Sequence, residues 1–427
     1  MTIDPAALAR HARAVLRAND TGRFVKPSQR LYPFQWNWDS AFVAIGLAAI
    51  DPERGRLEVR SLLEGQWADG MVPHIVFHPQ LVDYSPGPEL WESRACDGAP
   101  AVATSGLTQP PVLATAVRAL HDASPDRAFL EQVLPAIDAW HAWFHRERTV
   151  DGLVAVLHPW ESADNAPRFD RALERLDVEG VGAPTRSDTI QVEASERPTD
   201  LEYRRYVALI RALQEVGYRP TSLYDAPFAY VDLPLNAILA VAEDDLAELL
   251  GEIGADASRA RAASKSLRAS LAERWDDEAG AYRERDLHGA DAVTDTVADL
   301  FPLYAGVPDE RQARRLVDEH LLHPGRFGPS AGAPWAVTTV ARSSNAFARR
   351  NYWRGPVWIN VNWCFVRGLE RCGLFEEARA LRDLTLQLVA RSGFVEYYDP
   401  TSGEPLGSRE FSWSASLTLE LLCDLRP

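Results

Sequence analysis

Leu374-Phe-Glu-Glu-Ala378-Arg-Ala-Leu381-Arg-Asp-Leu384-Thr-Leu-Gln-Leu388 sets its apolar residues at intervals of four, three, three and four. That spacing lays Leu374, Ala378, Leu381, Leu384 and Leu388 along one face of a helix. Ala260, Ala263, Leu267, Leu271 and Trp275 repeat the pattern, and comparable stripes run through 40–50, 111–121, 128–145, 201–216, 233–250, 309–322 and 356–370. Extended segments are few and short, such as 153–157 and 394–398. The class is mainly α.

Short and long connections alternate between these helices. The long ones span 22–38, 69–108, 151–200, 276–293, 323–354 and 391–411. Long connections in a compact enzyme usually carry function. Around a ring of helical hairpins they would gather on one face and form a cleft there. The least regular stretch, 167–200, reads either as a flap or small cap over that cleft or as a solvated surface excursion.

A chain of 427 residues can hold two or three domains, but closed helical architectures reach this length as one unit. We read 1–427 as one domain with 167–200 inserted in it. The net charge of −16 excludes nucleic acid and acidic membrane surfaces, which require a basic face. It also means that an anionic ligand would need a local arginine. Cys96, Cys364, Cys372 and Cys423 show no C-x-x-C pairing, which predicts neither zinc nor a dithiol site. Scattered cysteines suit a reducing compartment, the cytoplasm. Residues 1–20 read as an amphipathic helix with no signal peptide or membrane span. The thirteen tryptophans exceed what packing requires, since a buried indole N–H needs a partner.

Four segments concentrate candidate chemistry. Tyr32-Pro-Phe-Gln-Trp36-Asn-Trp38-Asp39 lies ahead of a helix expected to begin near Ser40. It sets flat apolar plates beside a carboxylate, the combination that sugars require: ring C–H faces stack on aromatics while carboxylates accept hydroxyl hydrogens. Asp39 or Ser40 as a helix cap is the structural alternative. His158-Pro-Trp160-Glu161-Ser-Ala-Asp164-Asn165 places two carboxyls in a loop, where each could raise the other's pKa. Asn351-Tyr352-Trp353-Arg354-Gly-Pro356-Val-Trp358 offers aromatics and a rim arginine, with Pro356 near the first turn of a helix. Phe394-Val-Glu396-Tyr-Tyr-Asp399 puts a carboxylate in a short extended piece. His74-x-x-x-His78 and His141-x-x-x-His145 have ligand-like spacing without the Glu of H-E-x-x-H. The second pair reads as a solvated helix face, and neither metal nor cofactor is expected.

Together these segments resemble the glycoside hydrolases of family 63 and their relatives, the trehalases and glucoamylases. The resemblance spans most of the chain, with anchors near 32–40, 74, 104–110, 158–165, 351–358 and 394–413. The Tyr-x3-Trp-x-Trp-Asp opening is most similar to bacterial glucosylglycerate and mannosylglycerate hydrolases. The resemblance implies an all-α (α/α)6 barrel, six helical hairpins in two rings. It implies Asp164 as general acid, from the Asp of a Trp-Glu-Ser-Gly-x-Asp-Asn motif, and Glu396 as general base. It implies sugar contacts from Tyr32, Trp36, Trp38, Asp39, His74, Gln109, Trp160, Tyr352, Trp353 and Trp358, with Arg354 at the rim. Arg197 and Tyr203 fall in the segment that contacts the acid portion of glycerate glycosides, where Thr199 or Asp200 would otherwise serve only as a helix cap. The acid loop here reads Trp-Glu-Ser-Ala-Asp-Asn, one residue shorter than the family pattern and without its glycine.

The implied reaction is inversion, which needs the carboxyls about 6.5–9.5 Å apart, against about 5–5.5 Å for retention. The expected substrate is a small-molecule glycoside, glucosylglycerate or mannosylglycerate. A neutral α-disaccharide of the trehalose or glucosyl-glucose type is the alternative substrate. A non-catalytic sugar-binding protein on the same fold is the alternative of another class, and a homo-oligomer is left open.

Overall fold

The computed structural model describes residues 3–79, 84–183 and 185–423. Its helices begin with α1 (Pro5–Asn19), α2 (Asn37–Ala48), α3 (Pro52–Leu63), the short α4 (Pro88–Trp91), α5 (Leu113–Ala123) and α6 (Arg127–Glu147). The short α7 (Asp170–Glu174) and α8 (Asp188–Gln191) precede α9 (Asp200–Glu215), α10 (Leu233–Glu252) and α11 (Ser258–Ala272). The C-terminal part holds α12 (Glu310–Arg315), α13 (Ile359–Arg371), α14 (Phe375–Ser392) and α15 (Ser412–Cys423).

The helices sort by sequence into two kinds. A helix apolar on nearly every side must be buried, whereas one with a single apolar stripe lies at the surface. α2, α10 and α15 are of the first kind and are buried around most of their circumference, and so is α13 despite Asn360 and Asn362. α1, α3, α11 and α14 carry charged outer faces and bury one stripe. Together with α5 and a 3-10 helix, the four buried helices make a closed circuit of contacts. α2 packs on α5, α5 on α10, α10 on the 3-10 helix Val297–Leu303, that helix on α13, α13 on α15, and α15 back on α2. Outside it, α1 packs on α15, α3 on α2, α6 and α11 on α10, and α14 on α13. Asn19 at the end of α1 donates to Ser412 Oγ at 2.8 Å, tying the N-terminal helix to the start of the last one.

Most of the expected periodic segments are helices here, with local corrections. In α14, Ala378, Leu381 and Leu388 are buried as expected, while Leu384 is half-buried and Leu386 takes its place in the core. α11 stops at Ala272, so Trp275 belongs to a two-stranded pair with Tyr282 and not to the helical stripe. α2 begins at Asn37 rather than near Ser40, and neither Asp39 nor Ser40 caps it. Pro356 lies ahead of α13, outside its first turn. His141 and His145 are not a solvated face. His141 is fully buried, its Nδ1 3.2 Å from Glu243, and His145 Nε2 lies 2.9 Å from the same carboxylate. Arg259 completes the cluster with two hydrogen bonds of 2.8 Å, so Glu243 joins α6, α10 and α11. Among the described residues no helix is long and apolar enough to cross a membrane.

The irregular 167–200 stretch folds as α7, α8 and 3-10 turns at Pro167–Phe169 and Ala194–Glu196. Phe169, Ala172 and Leu173 enter the core, and Arg168 and Arg197 are buried. Thr199 and Glu202 form a capping box at the start of α9. The expected cap at Thr199 and the placement of Arg197 at the cleft therefore hold together, because the cap fixes where the chain leaves the cleft.

The α2–α15 contact is unusually close. A Cβ built on Gly46 would stand 2.4 Å from Ser416 Cα, a backbone atom that no rotamer can move aside. Gly46→Ala should therefore force the two helices apart at a cost of about 1–3 kcal/mol. The urea midpoint should fall with an unchanged slope. An unchanged midpoint would show that these helices are free to separate.

Candidate active site

Five of the six long connections converge on one cleft of about 830 Å³, part of it open to solvent. The connection 276–293 contributes nothing to its lining. Tyr32, Trp36, Trp38, Asp39, His74, Gln109, Trp160, Asp164, Arg197, Tyr203, Tyr352, Trp353 and Glu396 all line it. Arg354 and Trp358 do not. Arg354 turns to Asp170, with hydrogen bonds of 2.8 and 2.7 Å, and also donates to the Asn165 carbonyl. Trp358 lies one layer behind, stacked between Trp353 at 3.9 Å and Tyr397 at 4.7 Å, with its N–H on the Tyr352 carbonyl. It supports the aromatic wall from behind.

Glu396 is presented by the hairpin Val395–Tyr398/Pro405–Arg409. Val395 pairs with Arg409 but Tyr397 pairs with Leu406, so the return strand carries an extra residue opposite Glu396. Such a bulge releases a backbone N–H from the ladder. Here Ser408 N–H donates to Glu396 Oε2 at 2.8 Å. The bulge requires Gly407, which has φ +64° and whose Cβ, if present, would stand 2.5 Å from the same oxygen. Arg197 approaches from the chain just ahead of α9 and forms a fork on the carboxylate, Nη1 to Oε1 at 3.1 Å and Nη2 to Oε2 at 2.6 Å. Tyr32 O–H donates to Oε1 at 2.7 Å. The arginine expected to face an acidic leaving group thus rests on the candidate base.

The acid loop is pinned on both sides of Asp164. Glu161, fully buried, accepts from both Arg148 nitrogens, from Leu157 N and from Thr108 N. Ser162 Oγ accepts from Arg168, which also binds Asp232 and Glu284. Asn165 accepts from Trp353 N at 3.0 Å and donates to Asn351 Oδ1 at 2.7 Å. His158 accepts from Trp160 N and lies 3.1 Å from the Tyr206 carbonyl, so its Nε2 carries the proton. Glu161 is not what raises Asp164, because it is spent on Arg148. Burial is instead the chief cause that pushes Asp164 up to about 8, with Glu396 and Asp188 adding to it against the opposing Arg197. Asp164 thus keeps its proton at neutral pH, as a general acid must.

Asp39 stands in the first turn of α2, and burial followed by Glu396 raises it well above the carboxylate range. Gln109 accepts the Trp38 N–H at 3.2 Å, doing for α2 what a cap would do. Burial and the nearby His158 hold His74 down at about 3, so it is a neutral ring beside Trp160. Sequence reasoning missed Tyr84, Ser85 and Asp188. They line the cleft because two loops are zipped together: Ser85 N donates to Ser187 Oγ at 2.7 Å, and Ser187 N to the Ser85 carbonyl. Asp188 is itself paired with Arg186. No local pattern marks these residues, since the Ser85–Ser187 contact that joins the two loops spans 102 positions.

A protonated acid, an arginine-held carboxylate and tryptophan plates in one cleft are the equipment for cleaving a glycosidic bond. The mannosylglycerate hydrolase MGH1-like glycoside hydrolase domain matches residues 32–414. A mannosylglycerate hydrolase of Thermus thermophilus is 40% identical over 95% of this chain and 98% of its own length. A glucosylglycerate hydrolase of Mycolicibacterium hassiacum is 37% identical, over 98% of each chain. The crystal structure of a Thermus thermophilus family 63 mannosylglycerate hydrolase in complex with Tris and D-glycerate has a TM-score of 0.90, at 39% identity, over 97% of this chain and 99% of its own. The chain belongs to this MGH1-like group of family 63 and is a glycoside hydrolase.

Two measurements test the geometry. Because Asp164 loses its proton near pH 8, kcat/KM should fall tenfold per unit as pH rises beyond that point. A limb in the ordinary carboxylate range would show that bulk water reaches it. Gly407→Ala should displace Glu396 and cost about a hundredfold in kcat, with the urea midpoint measured alongside to separate misplacement from unfolding. A wild-type kcat would show that the bulge does not set the base.

Proposed function

We propose that this enzyme hydrolyses glucosylglycerate or mannosylglycerate with inversion, using Asp164 as general acid and Glu396 as general base. The observation that carries the reading is the contrast between two carboxyls in one cleft. Asp164 has burial raising it to about 8 and no cation bonded to it, whereas Glu396 is gripped by Arg197. Pairs of titratable groups whose surroundings differ in this way take opposite roles in acid–base catalysis. Asp164 would give its proton to the glycosidic oxygen. Glu396 would take one from the water that attacks the opposite face of the sugar. Asp39 and the plates of Trp38 and Trp353 would hold the glycone, and Arg197 with Tyr203 would meet the glycerate end. The names of the relatives and the D-glycerate bound in one of them support this class of leaving group.

The closed circuit of α2, α5, α10, the 3-10 helix, α13 and α15, with other helices packed outside it, supports an (α/α)6 barrel forming a single domain. The scattered cysteines support a cytoplasmic setting.

A panel of glucosylglycerate, mannosylglycerate, trehalose and kojibiose, with the first-formed anomer followed by NMR, tests the assignment. We expect a glycerate glycoside to be cleaved fastest and to release the β-anomer. Preference for trehalose or kojibiose would transfer the reading to neutral disaccharides, and a first-formed α-anomer would rule out inversion. Asp164→Asn and Glu396→Gln should each lower kcat by about 10²–10⁴-fold with little change in binding. Full activity in either variant removes that residue from the mechanism.

A further inference from the structure

A carboxylate offers about four lone-pair positions, and on Glu396 all four are taken. Oε1 accepts from Tyr32 O–H and Arg197 Nη1, and Oε2 accepts from Arg197 Nη2 and Ser408 N. A general base must stand within hydrogen-bond reach of the proton it removes. In this arrangement Glu396 has no lone pair to turn toward a water, so one of its partners must yield before it can work.

The partners differ in their freedom to do so. Ser408 N–H belongs to the bulged backbone and stays where the hairpin puts it. Tyr32 is fixed by edge contacts with Trp36 and Phe411. Arg197 is a buried side chain over the Tyr352 ring, its Cζ 4.7 Å from the ring centre; it lines the cleft, and its Nη1 is shared between Glu396 Oε1 and Tyr32 Oη at 3.0 Å, so that it can leave the carboxylate and keep one partner. Among the described residues that line the cleft it is the only lysine or arginine, while Asp39, Asp164 and Asp188 line the same space. An entering anion therefore finds one cation, and that cation is already engaged with the base.

Resting on the glycerate reading above, we propose that the substrate's own carboxylate switches the base on. It competes for the Arg197 guanidinium, and the longer contact, Nη1 to Oε1, gives way first. Oε1 then has a lone pair for the attacking water. The exchange leaves no charge alone, because the guanidinium passes from one carboxylate toward another and its planar fork suits both. Glu396 keeps Tyr32, Ser408 and one arginine bond. Arg197 on this account is a specificity-determining residue that acts through Glu396. A neutral glycoside can fill the glycone end of the cleft and still leave the base occupied.

The test separates the anion from the sugar. α-Mannosyl and α-glucosyl fluoride have a leaving group too small to fill the aglycone end, which leaves room for free D-glycerate. In their hydrolysis the water oxygen bonds to C1 as the C1–F bond breaks. Asp164 gives its proton to the departing fluoride and Glu396 receives one from the water. Added D-glycerate should accelerate this reaction by about tenfold or more, the worth of one charge-assisted hydrogen bond, and glycerol at the same concentration should not. Inhibition by glycerate, no effect, or equal acceleration by glycerol would overturn the switch. The same preparation is assayed on both glycerate glycosides. Failure to cleave either counts against the substrate assignment, whereas cleavage without glycerate activation of the fluoride counts against the switch alone.

Discussion

The buried fork between Arg197 and Glu396 sets what the surrounding structure has to provide. Taking both ions from water costs several kcal/mol each, and only good geometry with further hydrogen bonds offsets that. The supports are drawn from distant parts of the chain. The bulge at Gly407 supplies Ser408 N–H, the segment before α2 supplies Tyr32, and the capping box at Thr199 fixes where Arg197 leaves for the cleft. Tyr397 O–H donates to the Glu196 carbonyl and Gly407 N to the Glu196 carboxylate. The residue before Arg197 is thereby stitched to the hairpin that carries its partner.

The same low-polarity surroundings act in opposite directions on carboxyls that are close in sequence. Glu161 and Asp164 are three positions apart. Glu161 meets Arg148 and two backbone donors and becomes structural, whereas Asp164 meets no cation directly and is pushed up to about 8. Loop position alone does not separate these two neighbours. What separates them is whether the buried carboxyl finds a cation.

The helices were legible because a stripe of apolar residues depends only on spacing. The corrections fall where a local signal had a nonlocal competitor. Asp39 and Ser40 look like caps, but Gln109, 71 positions away, satisfies the Trp38 N–H, and the helix starts earlier. His141 looks solvated on a helix with charged neighbours, but Glu243 on α10 draws it inside. Trp353 and Trp358 carry equal weight as sequence, yet the chain turns between them, and only Trp353 reaches the cleft. The aromatic and carboxylate motifs located the cleft. The engagement of Arg197 with Glu396, 199 positions apart, left no trace in either local segment.

The loop Trp160–Asn165 contains no glycine and is held by its side chains: Glu161, Ser162 and Asn165 are each tied to a different part of the scaffold, through Arg148, Arg168 and the Asn351–Trp353 turn. With neighbours held on both sides, the Asp164 backbone has little slack. Low slack matters for an acid whose protonation is set by burial, because any excursion that let water in would lower its pKa and remove the proton. Pinning the loop therefore fixes the reach of Asp164 and its charge state together. The arginine that secures Ser162 also holds Asp232, the cap of α10, so the position of the acid is referred directly to one of the buried helices of the ring.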